Sequence, residues 1–165
     1  MRIAVISDTH LPRGRRVLPE RCAAELRAAD LILHAGDIAT VAVLAEIEAI
    51  GPPVRAVLGN VDEPALAARG VPEEIVVEAE GARIAMVHNA GPATGRLERL
   101  RLRYPDADAV VFGHSHIPLH ESADGLQIFN PGSPTDRRRQ PRHTMGVAEA
   151  AQGAVAFRHL VVDPG

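Results

Sequence analysis

The amino-acid sequence predicts an α/β fold, two facing mixed β-sheets flanked by helices, and three of its features lead there. Up to residue 60, short apolar runs alternate with helical segments, the order of βαβ units around a parallel sheet. From Pro118 onward the runs pair across turn signals, which reads as antiparallel β. Five apolar runs end in Asp, Asn or His, and in such sheets ligands bind beyond the C-terminal ends of the strands.

Taken in order, Ile3-Ala-Val-Ile6 is the first strand and ends at Ser7-Asp8-Thr9-His10. Pro19 suits the first turn of a helix in which Cys22, Ala23 and Leu26 recur at helical spacing, closed by Asp30. Leu31-Ile-Leu33 is the second strand and ends at Gly36-Asp37. Thr40 caps a helical segment that runs through Ile50, where Gly51-Pro52-Pro53 stops it. The third strand, Val54 to Leu58, ends at Gly59-Asn60. A short helical piece comes after Glu63-Pro64. Glu74 to Glu80 and Ala82 to His88 form a hairpin around Gly81, and Thr94 to Arg103 is helical. Val110-Val-Phe112 reads as a buried strand that stops at Gly113 and then presents His114 and His116. If extended, the pair would point one way; a turn after Gly113 would let each face a different ion. Pro118 to Ser122 with Leu126 to Phe129, and Val147 to Ala151 with Ala154 to Val162, are two closing hairpins around Ala123-Asp124-Gly125 and Gln152-Gly153.

At 165 residues the chain has the length of one domain, expected to span residues 1–165. Hydrophobic residues make up 46% of it but aromatics only 2%, so the core must come from Val, Ile, Leu and Ala in close helix-on-sheet packing. A net charge of −3 with four aromatic residues gives neither a basic groove nor a stacking platform, which ranks a nuclease last and argues against nucleic acid or membrane as partner. The single cysteine, Cys22, excludes an intramolecular disulfide and a Cys-rich zinc framework, and is expected to pack in its helix. Only four apolar residues separate Met1-Arg2 from Ser7-Asp8, too few for the apolar core of a signal peptide, so a cytoplasmic protein is expected.

In three of the five endings a glycine immediately precedes the ligand-type residue, and chance supplies one or two such endings more readily than five. Asp8, His10, Asp37, Asn60, His88, His114 and His116 offer imidazoles, carboxylates and one amide oxygen, with no thiolate. Mixed N/O donors suit Mn²⁺, Fe or Zn²⁺ better than Ca²⁺. Seven donors are too many for one catalytic ion but serve two ions that share a carboxylate, the arrangement of two-metal hydrolases.

In Asp8-Thr9-His10, Gly36-Asp37, Gly59-Asn60-Val61-Asp62, His88 and Gly113-His114-Ser115-His116, the chain resembles the calcineurin-like metallophosphoesterase superfamily. The blocks keep the family's order across about two-thirds of the chain. The small size and Asn130-Pro-Gly-Ser133 look like its compact bacterial and archaeal phosphodiesterases. The resemblance implies an αββα sandwich in which Asp8, His10, Asp37 and His116 hold one metal ion and Asp37, Asn60, His88 and His114 the other. Two divalent cofactors are expected, Mn²⁺ foremost, with Fe, Zn²⁺ or Ni²⁺ as alternatives. Asp37, Asn60 and His114 are assigned to catalysis, and a metal-bridging hydroxide would hydrolyse a small phosphodiester or nucleotide. Two departures stand out: many members carry a histidine where this chain has Val61, and Gly-His where it has Asn89-Ala90.

The alternative is a non-catalytic, metal-binding protein-interaction module of the same fold, as in the eukaryotic retromer subunit; it predicts lost ligands, and none is lost. His34 is expected to pack in the core or support the ligands. His120, His143 and His159 are expected at the surface, and Arg137-Arg138-Arg139 with Arg142 in a solvated loop. Asn130 to Ser133 is expected to line the site, and homo-oligomerisation is left open.

Overall fold

The computed structural model describes residues 1–12 and 16–163. Its elements are β1 (Arg2–Ile6), α1 (Glu20–Arg27), β2 (Leu31–His34), α2 (Val41–Glu48), β3 (Val54–Ala56), α3 (Pro64–Ala68), β4 (Glu74–Ala79), β5 (Ala82–Val87), α4 (Arg96–Arg103), β6 (Ala109–Val111), β7 (Leu119–Ala123), β8 (Leu126–Asn130), β9 (Thr144–Ala151) and β10 (Ala154–Val161). They build two five-stranded sheets, ordered β10-β9-β1-β2-β3 and β4-β5-β6-β8-β7. In the first, β1, β2 and β3 are parallel as the βαβ pattern requires, and β9 closes antiparallel on β1. In the second, β5, β6 and β8 are parallel, with β4 and β7 antiparallel at the edges.

The two-residue period of β1 explains the layering. Ile3 and Val5 face the other sheet, where they join Leu33, Ile84, Met86, Val111 and Phe129 in one core. Ala4 and Ile6 face outward and pack with Ile32 against Cys22 and Leu26 of α1, Leu44 and Ile47 of α2, and Leu66 of α3. On the far side, Val110, Ala85 and Ile128 take Leu100 of α4 and Tyr104. The order is therefore helix, sheet, sheet, helix. Alanines such as Ala109, Ala148 and Ala150 line the space between the sheets, and the stacked rings of Phe129 and Phe157 lie within it, 4.7 Å apart.

The differences from the sequence reading are local. Thr40 caps α2 as expected, its Oγ1 accepting from Val43 N–H at 3.3 Å, but the helix proper ends at Glu48. Ile50 and Gly51 instead donate to Ile47 and Glu48 in tighter, three-residue turns. Strand β3 is shorter than Val54 to Leu58, because the Leu58 N–H turns to the carbonyl of Pro72. Helix α4 begins at Arg96, since Gly95 takes a left-handed φ of 64°. No helix among the described residues is long and apolar enough to cross a membrane.

Cys22 has no solvent exposure, and burial pushes its thiol up to about 12, with Glu25 adding to the shift. A thiol reagent should label it on the order of 100-fold more slowly in the folded protein than in urea. Equal rates would mean that α1 does not seal the thiol.

Candidate metal centre

Parallel pairing sets where the functional residues arrive. Ile6 lies opposite His34, His34 opposite Ala56, and Met86 opposite Val111, so the strands run out together at one edge of both sheets. The segments beyond them are stitched by backbone bonds: Asp8 N–H to Gly36 O at 2.9 Å, His10 N–H to Asp37 O at 3.1 Å, and Gly113 N–H to His88 O at 2.9 Å. Asp8, His10, Asp37, His114 and His116 all adopt left-handed φ values between 47° and 69°. That region is uncommon for residues other than glycine and concentrates at functional sites. A turn, then, and not an extended segment, presents His114 and His116.

The glycines make room for these turns. A Cβ on Gly59 would lie 2.1 Å from Asp37 Oδ1, and one on Gly113 would lie 1.9 Å from Ser7 Oγ and 2.7 Å from Asp8 Oδ2. Close approach of backbone to ligand-type side chains is why glycine precedes Asn60 and His114.

The donor atoms converge as two overlapping groups, Asp8 with His10 and His116, and Asp8 with Asp37 and His88, all buried. Within them His10 Nε2 faces His116 Nε2 at 3.2 Å, and His116 Nε2 lies 3.4 Å from Asp8 Oδ1. Asp37 turns Oδ2 toward His10 Nε2 at 3.5 Å and Oδ1 toward His88 Nε2 at 3.3 Å. Asn60 Oδ1 lies 3.2 Å from His88 Nε2 and 2.9 Å from His114 Nδ1. Both Asn60 and His114 are exposed, so the centre has a buried side and an open side.

Two backbone carbonyls set the imidazoles. His88 Nδ1–H donates to Ala35 O at 2.8 Å and His116 Nδ1–H to Asp136 O, which turns each Nε2 toward the carboxylates. Burial pushes the Asp8 carboxyl up, against the pull of His116 and of Ser7 Oγ. Burial acts the same way on Asp37, but the hydrogen bond and charge of His88, with the Val61 N–H and His10, hold it at about 2. Burial disfavours a charged His88, yet Asp37 and Asp8 outweigh it and its pKa rises. Between Asp37 and His88 the field therefore favours positive charge, and this mix of imidazole nitrogens and carboxylate oxygens suits a divalent cation.

Several residues outside the donor set support it. Asp62 accepts from Ala39 N–H at 2.6 Å and from Gly59 N–H at 2.7 Å, tying the Asp37 loop to the Asn60 loop. Ser133 Oγ donates to Asp8 O and Thr135 Oγ1 to Thr9 O, while Asn130 Nδ2 donates to Gly113 O. The Asn130 to Ser133 stretch thus braces the turns from behind. His34 is buried with Nε2 3.1 Å from Thr9 Oγ1, and burial lowers its pKa to about 3. Of the histidines expected at the surface, His120 is exposed. His159 is half-buried, stacked on Phe129 with Nε2 donating to Asn130 O, and His143 pairs with Asp163. The arginine loop is exposed but anchored, Arg138 to Asp136 and Arg142 to Asp163.

Comparison with known proteins finds a match to the calcineurin-like phosphoesterase superfamily domain over residues 1–153. A "Probable metallophosphoesterase" of Methanothermobacter thermautotrophicus is 35% identical over 139 residues, 82% of this chain and 78% of that one. Two solved structures share the fold at lower identity. Vps29 of Entamoeba histolytica complexed with Zn²⁺ superposes with a TM-score of 0.77 at 20% identity, covering 99% of this chain and 100% of that one. A novel archaeal phosphodiesterase gives 0.74 at 21%, covering 97% and 100%.

Replacing Gly113 with alanine should destabilise the fold by about 1–3 kcal/mol through overpacking against Ser7 and Asp8. Urea unfolding measures it. An unchanged midpoint would show slack in the turn that the close approach denies.

Proposed function

Because the chain belongs to the calcineurin-like phosphoesterase superfamily, we propose that it is a two-metal phosphodiesterase of small phosphodiesters or nucleotides, acting as one domain in the cytoplasm. The observation that carries this reading is the convergence of Asp8, His10, Asp37, His88 and His116 at one sheet edge, with Asn60 and His114 beside His88 and Asp37 offering one oxygen toward His10 and the other toward His88. Asp8, His10, Asp37 and His116 would hold one divalent ion and Asp37, Asn60, His88 and His114 the other, with Mn²⁺ first among the candidates. When bound, such a pair activates water and neutralises charge on the phosphoryl oxygens. The chain supplies the rest: Ala35 O and Asp136 O orient two imidazoles, the Val61 N–H steadies Asp37, and the exposed Asn60 and His114 leave the side on which they hold the second ion open to the incoming phosphoester.

Bis-p-nitrophenyl phosphate should be hydrolysed, with activity lost to a chelator and restored by Mn²⁺. Asp37→Ala should abolish both turnover and metal content, measured by elemental analysis. Wild-type metal occupancy in that variant would remove the shared carboxylate. No turnover by metal-replete protein on any phosphoester would leave the interaction-module reading in its place.

Val61 is 47% exposed beside Asn60 and has no proton to give. A poor alkoxide leaving group needs an acid, worth roughly 10²–10⁴-fold. Diesters should therefore be preferred over monoesters, and the rate should depend steeply on leaving-group pKa. Across a series of aryl diesters, Val61→His should flatten that slope. A shallow slope in the wild type would show that another group already donates the proton.

A further inference from the structure

Against the open side of the centre lies a cleft of about 370 Å³, at the small end of the roughly 300–1,000 Å³ typical of ligand sites. Asn60, His88 and His114 line it from the donor set, and outside that set Glu73, Asn89 and Arg103 are its polar side chains, beside Leu58 and Val87. A phosphate held at the ion that the first three residues would bind would leave the second three to meet whatever is esterified to it.

The chemistry of those three is selective. Arg103 Nη2 pairs with Glu74 at 2.6 Å, and the same carboxylate oxygen accepts from Tyr104 Oη–H, so Glu74 is occupied and Arg103 is held in place. Among the described residues Glu73 forms no ion pair, and its carboxylate remains an acceptor. Asn89 turns its Oδ1 to Gly91 N–H at 2.8 Å, which leaves its amide N–H groups as donors. With Glu73 and Glu74 against one arginine, the local charge disfavours a second anionic group. No aromatic ring other than the imidazoles lines the cleft, so a nucleobase finds no stacking platform. An alkyl group would leave the Glu73 carboxylate without a partner as it displaced its water. A compact group that both donates and accepts hydrogen bonds satisfies all three.

We propose that this cleft is a subsite for a small hydroxylated alcohol, of glycerol or pentose size, esterified to the reacting phosphate, with Glu73 accepting from its hydroxyls and Arg103 and Asn89 donating to them. The proposal rests on the phosphodiesterase reading and names the part of the substrate that the donor set does not touch. A carboxylate that accepts from a vicinal diol discriminates against the deoxy analogue, because the analogue leaves a charged acceptor unpartnered.

The test uses two diesters with the same p-nitrophenyl leaving group, one of glycerol and one of propan-1-ol. Wild-type kcat/KM should favour the glyceryl ester by about 10–100-fold, the worth of hydrogen bonds to a charged group. Glu73→Ala should bring the ratio close to one, and Glu73→Gln, which keeps an acceptor oxygen, should retain part of it. Calorimetry with glycerol phosphate and propyl phosphate should show the same preference without turnover. A wild-type ratio near one, or a ratio that survives Glu73→Ala, overturns the subsite. If neither ester is hydrolysed, the phosphodiesterase reading fails by itself, and the calorimetric preference and its loss in Glu73→Ala still decide the subsite.

Discussion

The site depends on a backbone held in conformations it would not choose. Five side chains with a Cβ sit in left-handed turns at the strand ends, each at a cost of order 1–3 kcal/mol. The parallel pairing of β1 with β2 and of β5 with β6 holds the strands in register, and backbone bonds between neighbouring turns hold the segments beyond the strands. Those turns aim imidazoles and carboxylates at one another across a gap of about a hydrogen-bond length. Without the two packed sheets behind them, nothing would keep such groups together. The strain is thus carried by the core and concentrated where the donors meet.

Burial then sets the charge state of what the turns deliver. It lowers the pKa of His10 and of His34, disfavouring the charged rings, while the carboxylate of Asp37 stays ionised against the same burial because His88 and a backbone N–H face it. Carbonyls of Ala35 and Asp136 fix which nitrogen of His88 and His116 points inward. Neutral imidazole nitrogens and anionic oxygens around one point are what a divalent ion requires. The open side differs: Asn60 and His114 are exposed, and the cleft reaches the centre there. Val61, next to Asn60, brings exposed apolar surface to that side.

Much of this was legible from the residues alone, for a physical reason: period and punctuation are local. Alternation of apolar runs with helical segments marks βαβ units, Thr40 marks a cap, and a glycine before an Asp, Asn or His marks a strand end where backbone and side chain come close. Those signals determined the fold class, the layering and the positions of the ligand-type residues, of which Asp8, His10, Asp37, His88 and His116 converge at one edge. The identity of Cys22 as a buried, inert thiol also followed from its place on the apolar face of α1.

Tertiary structure decided the rest, because it depends on partners distant in the chain. That the last hairpin closes on β1 while the preceding one joins β6 could not be read from two similar hairpin signals. Neither could the roles of Asp62, Ser133 and Thr135, polar residues that reach partners 23 to 126 residues away, or the stacking of His159 on Phe129. Glu73, just before β4, and Arg103 of α4 line one cleft with Asn60 only because both elements belong to the second sheet's layer. The sequence by itself determined which residues could hold an ion, since donor chemistry is a property of side-chain type; only the fold decided which residues line the cleft beside them, since that is a property of neighbours.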